Sequence, residues 1–519
     1  MQATRPTSPA PAIHTLGELR QTGYQPRSVK DELRQNLIAR LRAGQPMFGD
    51  VLGFEDTVLP ELQTAILSRH NILLLGLRGQ AKTRIARNLV QLLDEWMPVV
   101  LGSELNDDPL APLSHAARSL IAEQGDQTPV AWVHRSERYT EKLATPDVSV
   151  ADLIGDLDPI KAAAQKLSYN DERVIHYGLI PRSHRGIFVI NELPDLQARI
   201  QVALFNILQE QDIQIRGFKL RLPLDIQFVF TANPEDYTNR GSIVTPLKDR
   251  IESQILTHYP RSIEIAEAIT AQEAQLLPEQ VQTVAVDPLL RRLVERIAFE
   301  ARESELVDQK SGVSARLTIA ALEHLVASAE RRALLTQTRR TQARISDLYA
   351  AIPAITGKVE LVYEGEQEGP LKVAHTLISR ALKAEFIAQF PDPAKLKRSK
   401  QPNVYQAIVA WFGSGEALEL LRDTPDPAYV ATLESVQGLN ALVLGQHPKA
   451  LPEAVPLLME LVLHGLAESS QLAKQPLPLG HQFGDIVGGL MGGKNKGMTD
   501  LDLDDLDDDD LPEELRGLR

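Results

Sequence analysis

The sequence predicts an α/β protein: a mostly parallel sheet covered on both faces by helices, followed by further, mostly helical chain. Three observations carry this. The apolar run Asn71-Ile72-Leu73-Leu74-Leu75 leads straight into the loop Gly76-Leu77-Arg78-Gly79-Gln80-Ala81-Lys82-Thr83, and then into apolar residues at helical spacing. Further short apolar strands, Pro129-Val-Ala-Trp-Val-His134, Gly186-Ile-Phe-Val-Ile-Asn-Glu192 and Asp225-Ile-Gln-Phe-Val-Phe-Thr-Ala-Asn233, are separated by helical patterns. From about residue 263 to 336 the pattern is helical, with Leu317, Ala320, Ala321 and Leu325 on one face.

Taken in order, Leu33, Leu37, Ile38 and Leu41 give an N-terminal helix over 31–43, broken by Gly44-Gln-Pro-Met47. A second helix covers 59–69, just before the strand at 72–75. A stretch of some fifty residues separates the strands near Val133 and Phe188, and 212–223 reads as a hairpin around Arg216-Gly217. Residues 358–369 suit a strand and loop before a helix at about 374–390. A Pro/Lys-rich linker follows at 391–402, and helix again from 404 to about 472. Residues 480–497 are Gly-rich and the chain from Thr499 is acidic and of low complexity, both expected to be disordered. The expected division is an N-terminal extension with one helix at 1–45, a nucleotide-binding domain at 46–262, a helical lid at 263–395, a C-terminal helical region at 396–475 and a tail at 476–519.

The 519 residues suffice for about three domains, and 43 % are hydrophobic. No run of roughly eighteen apolar residues predicts a membrane span. The N-terminus is a Pro-rich lead without a basic-then-apolar signal, so a cytoplasmic protein is expected. The absence of cysteine removes disulfides, thiolate nucleophiles and Cys-based zinc sites. Any metal must be held by oxygen or histidine. A formal charge of −14 argues against a general nucleic-acid binder, and much of it sits at the extreme C-terminus.

The loop carries the chemistry. In the pattern G-x-x-x-x-G-K-[ST], backbone N–H groups cradle phosphates, the lysine reaches the β and γ phosphates, and the hydroxyl holds Mg²⁺. Gly76, Lys82 and Thr83 fit, while Ala81 stands where the last glycine belongs. A plain strand-turn-helix with an exposed lysine is the bland alternative, and the strand before and helix after favour the phosphate loop. The extra methyl of Ala81 is expected to crowd the loop. At the end of Val189-Ile190-Asn191-Glu192, Asn191 replaces the usual aspartate near Mg²⁺ and brings no charge to a hard cation. Glu192 stands where a general base orients the attacking water.

Together these strings resemble the AAA+ ATPases, in the branch of the magnesium chelatase ATPase subunit and the MoxR-like proteins, over about residues 46–340. The resemblance also rests on Thr231-Ala232-Asn233-Pro234-Glu235-Asp236, Pro246-Leu247-Lys248-Asp249-Arg250 and Gly312-Val313-Ser314-Ala315-Arg316-Leu317. It implies a P-loop αβα sandwich with a helical lid, ATP and Mg²⁺ as cofactors, and Thr83 and Asn191 at the metal. Asn233 resembles the sensor-1 residue, Arg250 the arginine finger that enters a neighbouring subunit, and Arg316 the sensor-2 arginine. A ring homo-oligomer, commonly a hexamer, is implied. Insertions at 147–185 and 212–223 would contact a partner, and a von Willebrand factor A-type protein is expected as that partner. The implied activity is an ATP-driven motor that remodels a partner protein, with a metal-chelatase motor subunit and a nucleotide-gated scaffold as alternatives. The size of the chain beyond about Lys358 favours the first. Bacterial enhancer-binding activators are set aside, because their string Gly-Ala-Phe-Thr-Gly-Ala is missing; a DNA-reading helix-turn-helix is missing too, so neither direct transcriptional activation nor sequence-specific DNA binding is expected.

Overall fold

The structure, a computed structural model, describes residues 6–166, 172–210, 212–214, 221–234, 242–399 and 402–486. The acidic run at 500–514, the hairpin tip at 216–217, and Glu235 and Asp236 lie outside them. The chain divides into two units. One takes the described parts of Met1–Ala274, with Ala301–Ile319 and Thr356–Gln367; the other takes Gln275–Glu300, Ala320–Ile355 and the described parts of Glu368–Arg519. Their segments interleave, whereas the sequence predicts a lid at 263–395 and a separate region after it.

The first unit is built on five parallel strands: β1 (Ile72–Leu75), β2 (Tyr139–Leu143), β3 (Gly186–Asn191), β4 (Ile226–Ala232) and β5 (Ser253–Leu256). They lie in the order β5-β1-β4-β3-β2. Every residue of β3 and β4 is buried, as a parallel sheet covered on both faces requires. Alternation along the strands sorts them between two cores. Leu73, Phe188, Ile190, Phe228 and Phe230 enter one, and Ile72, Leu74, Ile187, Val189, Val229 and Ile255 the other.

Two strand expectations change. Val130–His134 does form a strand, but it pairs antiparallel with Trp96–Val100 outside the main sheet. The sheet's edge next to β3 is instead β2, whose Tyr-Thr-Glu-Lys-Leu has no apolar run because an edge strand is not enclosed as a central one is. The flanks of the expected hairpin, Asp212–Gln214 and Arg221–Pro223, pair antiparallel. Within 147–185, Gly155–Leu157 pairs antiparallel with Ile175–Tyr177.

The N-terminal segment holds two helices rather than one. Leu16–Gln21 is fixed by a capping box between Thr15 and Glu18, and Val29–Arg42 is capped by Ser28. The second buries Val29, Leu33 and Leu37 in the same core as Ile72 and Leu74. Its Glu32, 5 % exposed, accepts two hydrogen bonds from Arg138, 3 % exposed, at 2.7 and 2.6 Å.

In the second unit the helices Pro370–Gln389 and Val455–Glu468 pack closely. A Cβ at Gly465 would lie 2.0 Å from the Phe386 ring, so only glycine permits this approach. Leu418–Leu421, Gly480–Gly484 and Ala473–Leu477 form a three-stranded antiparallel sheet. Residues 480–484 are therefore a strand where disorder is predicted: His481 and Phe483 alternate into the core, and a Cβ at Gly480 would meet the Leu420 carbonyl at 2.0 Å. Helices also occupy Tyr363–Glu368 and Pro393–Ser399, where a strand-and-loop and a linker are expected. Among the described residues no helix is long and apolar enough to cross a membrane.

Candidate functional site

The phosphate-loop candidate leaves the carboxyl end of β1, where the Gly76 amide donates to the Ala232 carbonyl of β4 at 3.1 Å. Glycine is needed here, because a Cβ would fall 1.8 Å from Thr257 Oγ1 and 2.3 Å from Gln80 Oε1. The Thr257 hydroxyl donates to the buried Gln80 side chain at 2.8 Å. Tyr259 donates to the Arg78 carbonyl at 2.9 Å, its phenol pushed up to about 12 by burial. Thr257 and Tyr259, just past β5, thus brace the loop from one side. No motif points to either of them.

Lys82 opens the helix Lys82–Asn88 and is 8 % exposed. Its ammonium donates to the carbonyls of Gly76 and, at 3.1 Å, Leu77, so it lies over the loop itself. Thr83 follows in the first helical turn, where backbone N–H groups lack intrahelical partners and suit an anion. Ala81 has φ 54 and ψ 15, the left-handed region. The missing glycine therefore carries a torsional cost at this position.

Glu192 and Asn233 sit where β3 and β4 end, on the strands next in order from β1. Asn233 is 7 % exposed. Glu192 also adopts a left-handed backbone, with φ 54, and its amide donates to Thr231 Oγ1 at 3.1 Å. Asn191 is held at both ends of its amide: Nδ2 donates to Glu141 at 2.6 Å, and Oδ1 accepts from Thr231 at 3.1 Å.

The segment 312–316 is brought against the loop. A Cβ on Gly79, φ 74, would lie 2.2 Å from Ser314 Oγ and 2.9 Å from the Ala315 amide; one on Gly312, φ 70, would lie 2.9 Å from Leu77. Arg316 is exposed, and its amide is capped by Ser314 at 3.1 Å. Arg250 is held elsewhere in the unit. It donates to Gln209 at 3.1 Å and to the Pro246 carbonyl at 2.7 Å, with its guanidinium 5.0 Å from the centre of the Phe205 ring.

These groups fit a nucleotide. Gly76 and Gly79 let Thr257, Gln80 and Ser314 pack directly on the loop backbone, Lys82 supplies a positive charge, and the helix start supplies N–H donors. Among the described residues no three His, Asp or Glu side chains gather to hold a metal by themselves. A cation here would take the Thr83 hydroxyl and phosphate oxygens, hard oxygen ligands of the kind Mg²⁺ prefers, while the Asn191 carbonyl already accepts from Thr231.

The Sigma-54 interaction domain family matches residues 163–254, which include Asn191, Glu192, Asn233 and Arg250. Among solved structures, NtrX from Brucella abortus in complex with ADP is 15 % identical, with 78 % of this chain and 72 % of that one covered, at a TM-score of 0.34. The complex of magnesium chelatase subunits BchI and BchD is 21 % identical over 61 % of this chain and 97 % of that one, at 0.32. Closed-state Hsp104 with ATPγS and FITC casein is 12 % identical over 68 % and 55 %, at 0.35. The matched segment carries β3 and β4, and with the loop that leaves β1 and the order of the strands it is consistent with an AAA+ ATPase core.

Proposed function

We propose that this chain binds and hydrolyses ATP at the end of β1, and uses the cycle to remodel or activate a partner protein within a ring of like subunits. What supports this reading is the Lys82 loop with Ser314 and Ala315 packed against Gly79, and Glu192 and Asn233 at the ends of the strands next in order from β1. Lys82 exchanges the Gly76 and Leu77 carbonyls for phosphate oxygens. Glu192 orients water for attack on the γ phosphate and takes up its proton, while Asn233 holds that water or the phosphate. Thr83 would hold Mg²⁺, with Asn191 as the other residue expected at the metal, and the ion would supply charge neutralisation.

Arg250 acts in trans on this reading, giving up Gln209 and Phe205 to meet a neighbour's phosphate. The hexameric ring and a von Willebrand factor A-type partner follow from the family resemblance. A nucleotide-gated scaffold is the second reading, favoured by the neutral Asn191 and the strained Ala81.

Equilibrium nucleotide binding and steady-state phosphate release separate these. Glu192→Gln should keep binding and lose about 100-fold or more in turnover, the usual scale for general-base loss. Lys82→Ala should lose binding. Wild-type binding without phosphate release selects the scaffold, and no binding at all overturns both.

A further inference from the structure

Glu141 belongs to none of the motifs, yet four hydrogen bonds converge on its carboxylate. Arg87 donates from Nε at 2.9 Å and from Nη2 at 3.1 Å, Asn191 Nδ2 donates at 2.6 Å, and the Tyr139 hydroxyl donates at 3.0 Å. A carboxylate accepts in about four directions, so Glu141 is saturated and has none left for a metal. Its partners come from different parts of the site. Arg87 lies on the helix that Lys82 begins, and Asn191 ends β3. From Asn191 the chain of bonds continues through Thr231 Oγ1 to the backbone amide of Glu192.

We infer that Glu141 is a positioning residue of the site, an inference that rests on the ATPase reading above. It fixes which way the Asn191 amide faces, and through Thr231 it sets the backbone that aims Glu192. It also accounts for the amide at 191. Aspartate there would put two carboxylates at a separation now spanned by a 2.6 Å hydrogen bond, with no donor between them. The asparagine is thus the complement of Glu141 and of the clamp Arg87 makes on it, tying the phosphate-loop helix to the strand that carries the base.

The test is a swap of amide and carboxylate in the full chain, using Glu141→Gln, Asn191→Asp and the double variant. Two measurements are made: hydrogen exchange at the Glu192 amide without nucleotide, and kcat and KM for ATP. Glu141→Gln should speed exchange at Glu192 and lower kcat about tenfold, with KM within about threefold, the scale of one charge-assisted hydrogen bond. Asn191→Asp should do more of both. The double variant exchanges the two groups, so that an amide on β2 again donates to a carboxylate at the end of β3. Exchange should then return to the wild-type rate and kcat to within about threefold of wild type. Unchanged exchange in Glu141→Gln overturns the inference, as does a double variant no better than Asn191→Asp. If Asn191→Asp fails to fold, the Glu141→Gln arm decides alone. If the wild-type chain releases no phosphate, the ATPase reading fails, while exchange still decides whether Glu141 holds Glu192.

Discussion

At the scale of single residues, two left-handed non-glycine positions flank the site, Ala81 at φ 54 and Glu192 at φ 54. An L-residue in this region carries a strain of about 1–2 kcal/mol. The Ala81 methyl packs on the core beneath the sheet and recovers up to about 0.8 kcal/mol. The strain exceeds the gain, so Ala81→Gly should raise stability by about 1 kcal/mol or less. A β-branched side chain has no such offset, and Ala81→Val should cost about 2–3 kcal/mol. Urea denaturation of the three chains checks both. The residue types Gly76, Lys82 and Thr83 made the loop legible, because its chemistry is written in side chains. The torsion at 81 was not legible, since an alanine in place of glycine reads as bulk and only the backbone shows it as strain.

At the scale of elements, β1, β3 and β4 were legible because central parallel strands are unbroken apolar runs. Strand β2 was not, since its edge position admits Thr140, Glu141 and Lys142 in succession and leaves no apolar run. The same gap hid Glu141 as a site residue. The helix Val29–Arg42 was legible from Leu33 and Leu37, but its most demanding contact was not. Periodicity tells which face is buried and says nothing of the partner, and Glu32 meets Arg138 at a sequence distance of 106. Glu32→Ala would leave that arginine buried and unpaired, which should cost about 3–5 kcal/mol. Glu32→Gln, which keeps an acceptor, should cost less, and guanidinium melts would rank them.

At the scale of the whole molecule, ten acidic residues lie within 500–514, so most of the formal charge of −14 belongs to that run. Within the first unit, pH acts through a buried pair. His184 Nδ1 accepts from the Asp225 amide at 3.0 Å. Burial lowers His184 to about 4 and raises Asp225 to about 6. The depressed His184 contributes stability above its ordinary value of 6.5 that is lost as pH falls toward 4. The raised Asp225 contributes stability below its ordinary 3.8 that is lost as pH rises through 6. Each is worth about 3 kcal/mol at about 1.4 kcal/mol per pH unit, with opposite sign over nearly the same window. The wild-type chain should therefore feel little net effect of this pair between pH 4 and 6. Asp225→Asn removes one side and should lose about 3 kcal/mol between pH 6.5 and 4, read from denaturant midpoints across that range. The contact between Glu32 and Arg138 bears on time as well as stability. At synthesis rates of about 5–20 residues per second, Arg138 is made roughly 5–20 s after Glu32. The core that the early helix enters also needs Val229 and Ile255, which come later still. This helix, made well before the segments that cover it, is thus buried only after them, and during that interval its apolar face is open to chaperones and to other nascent chains.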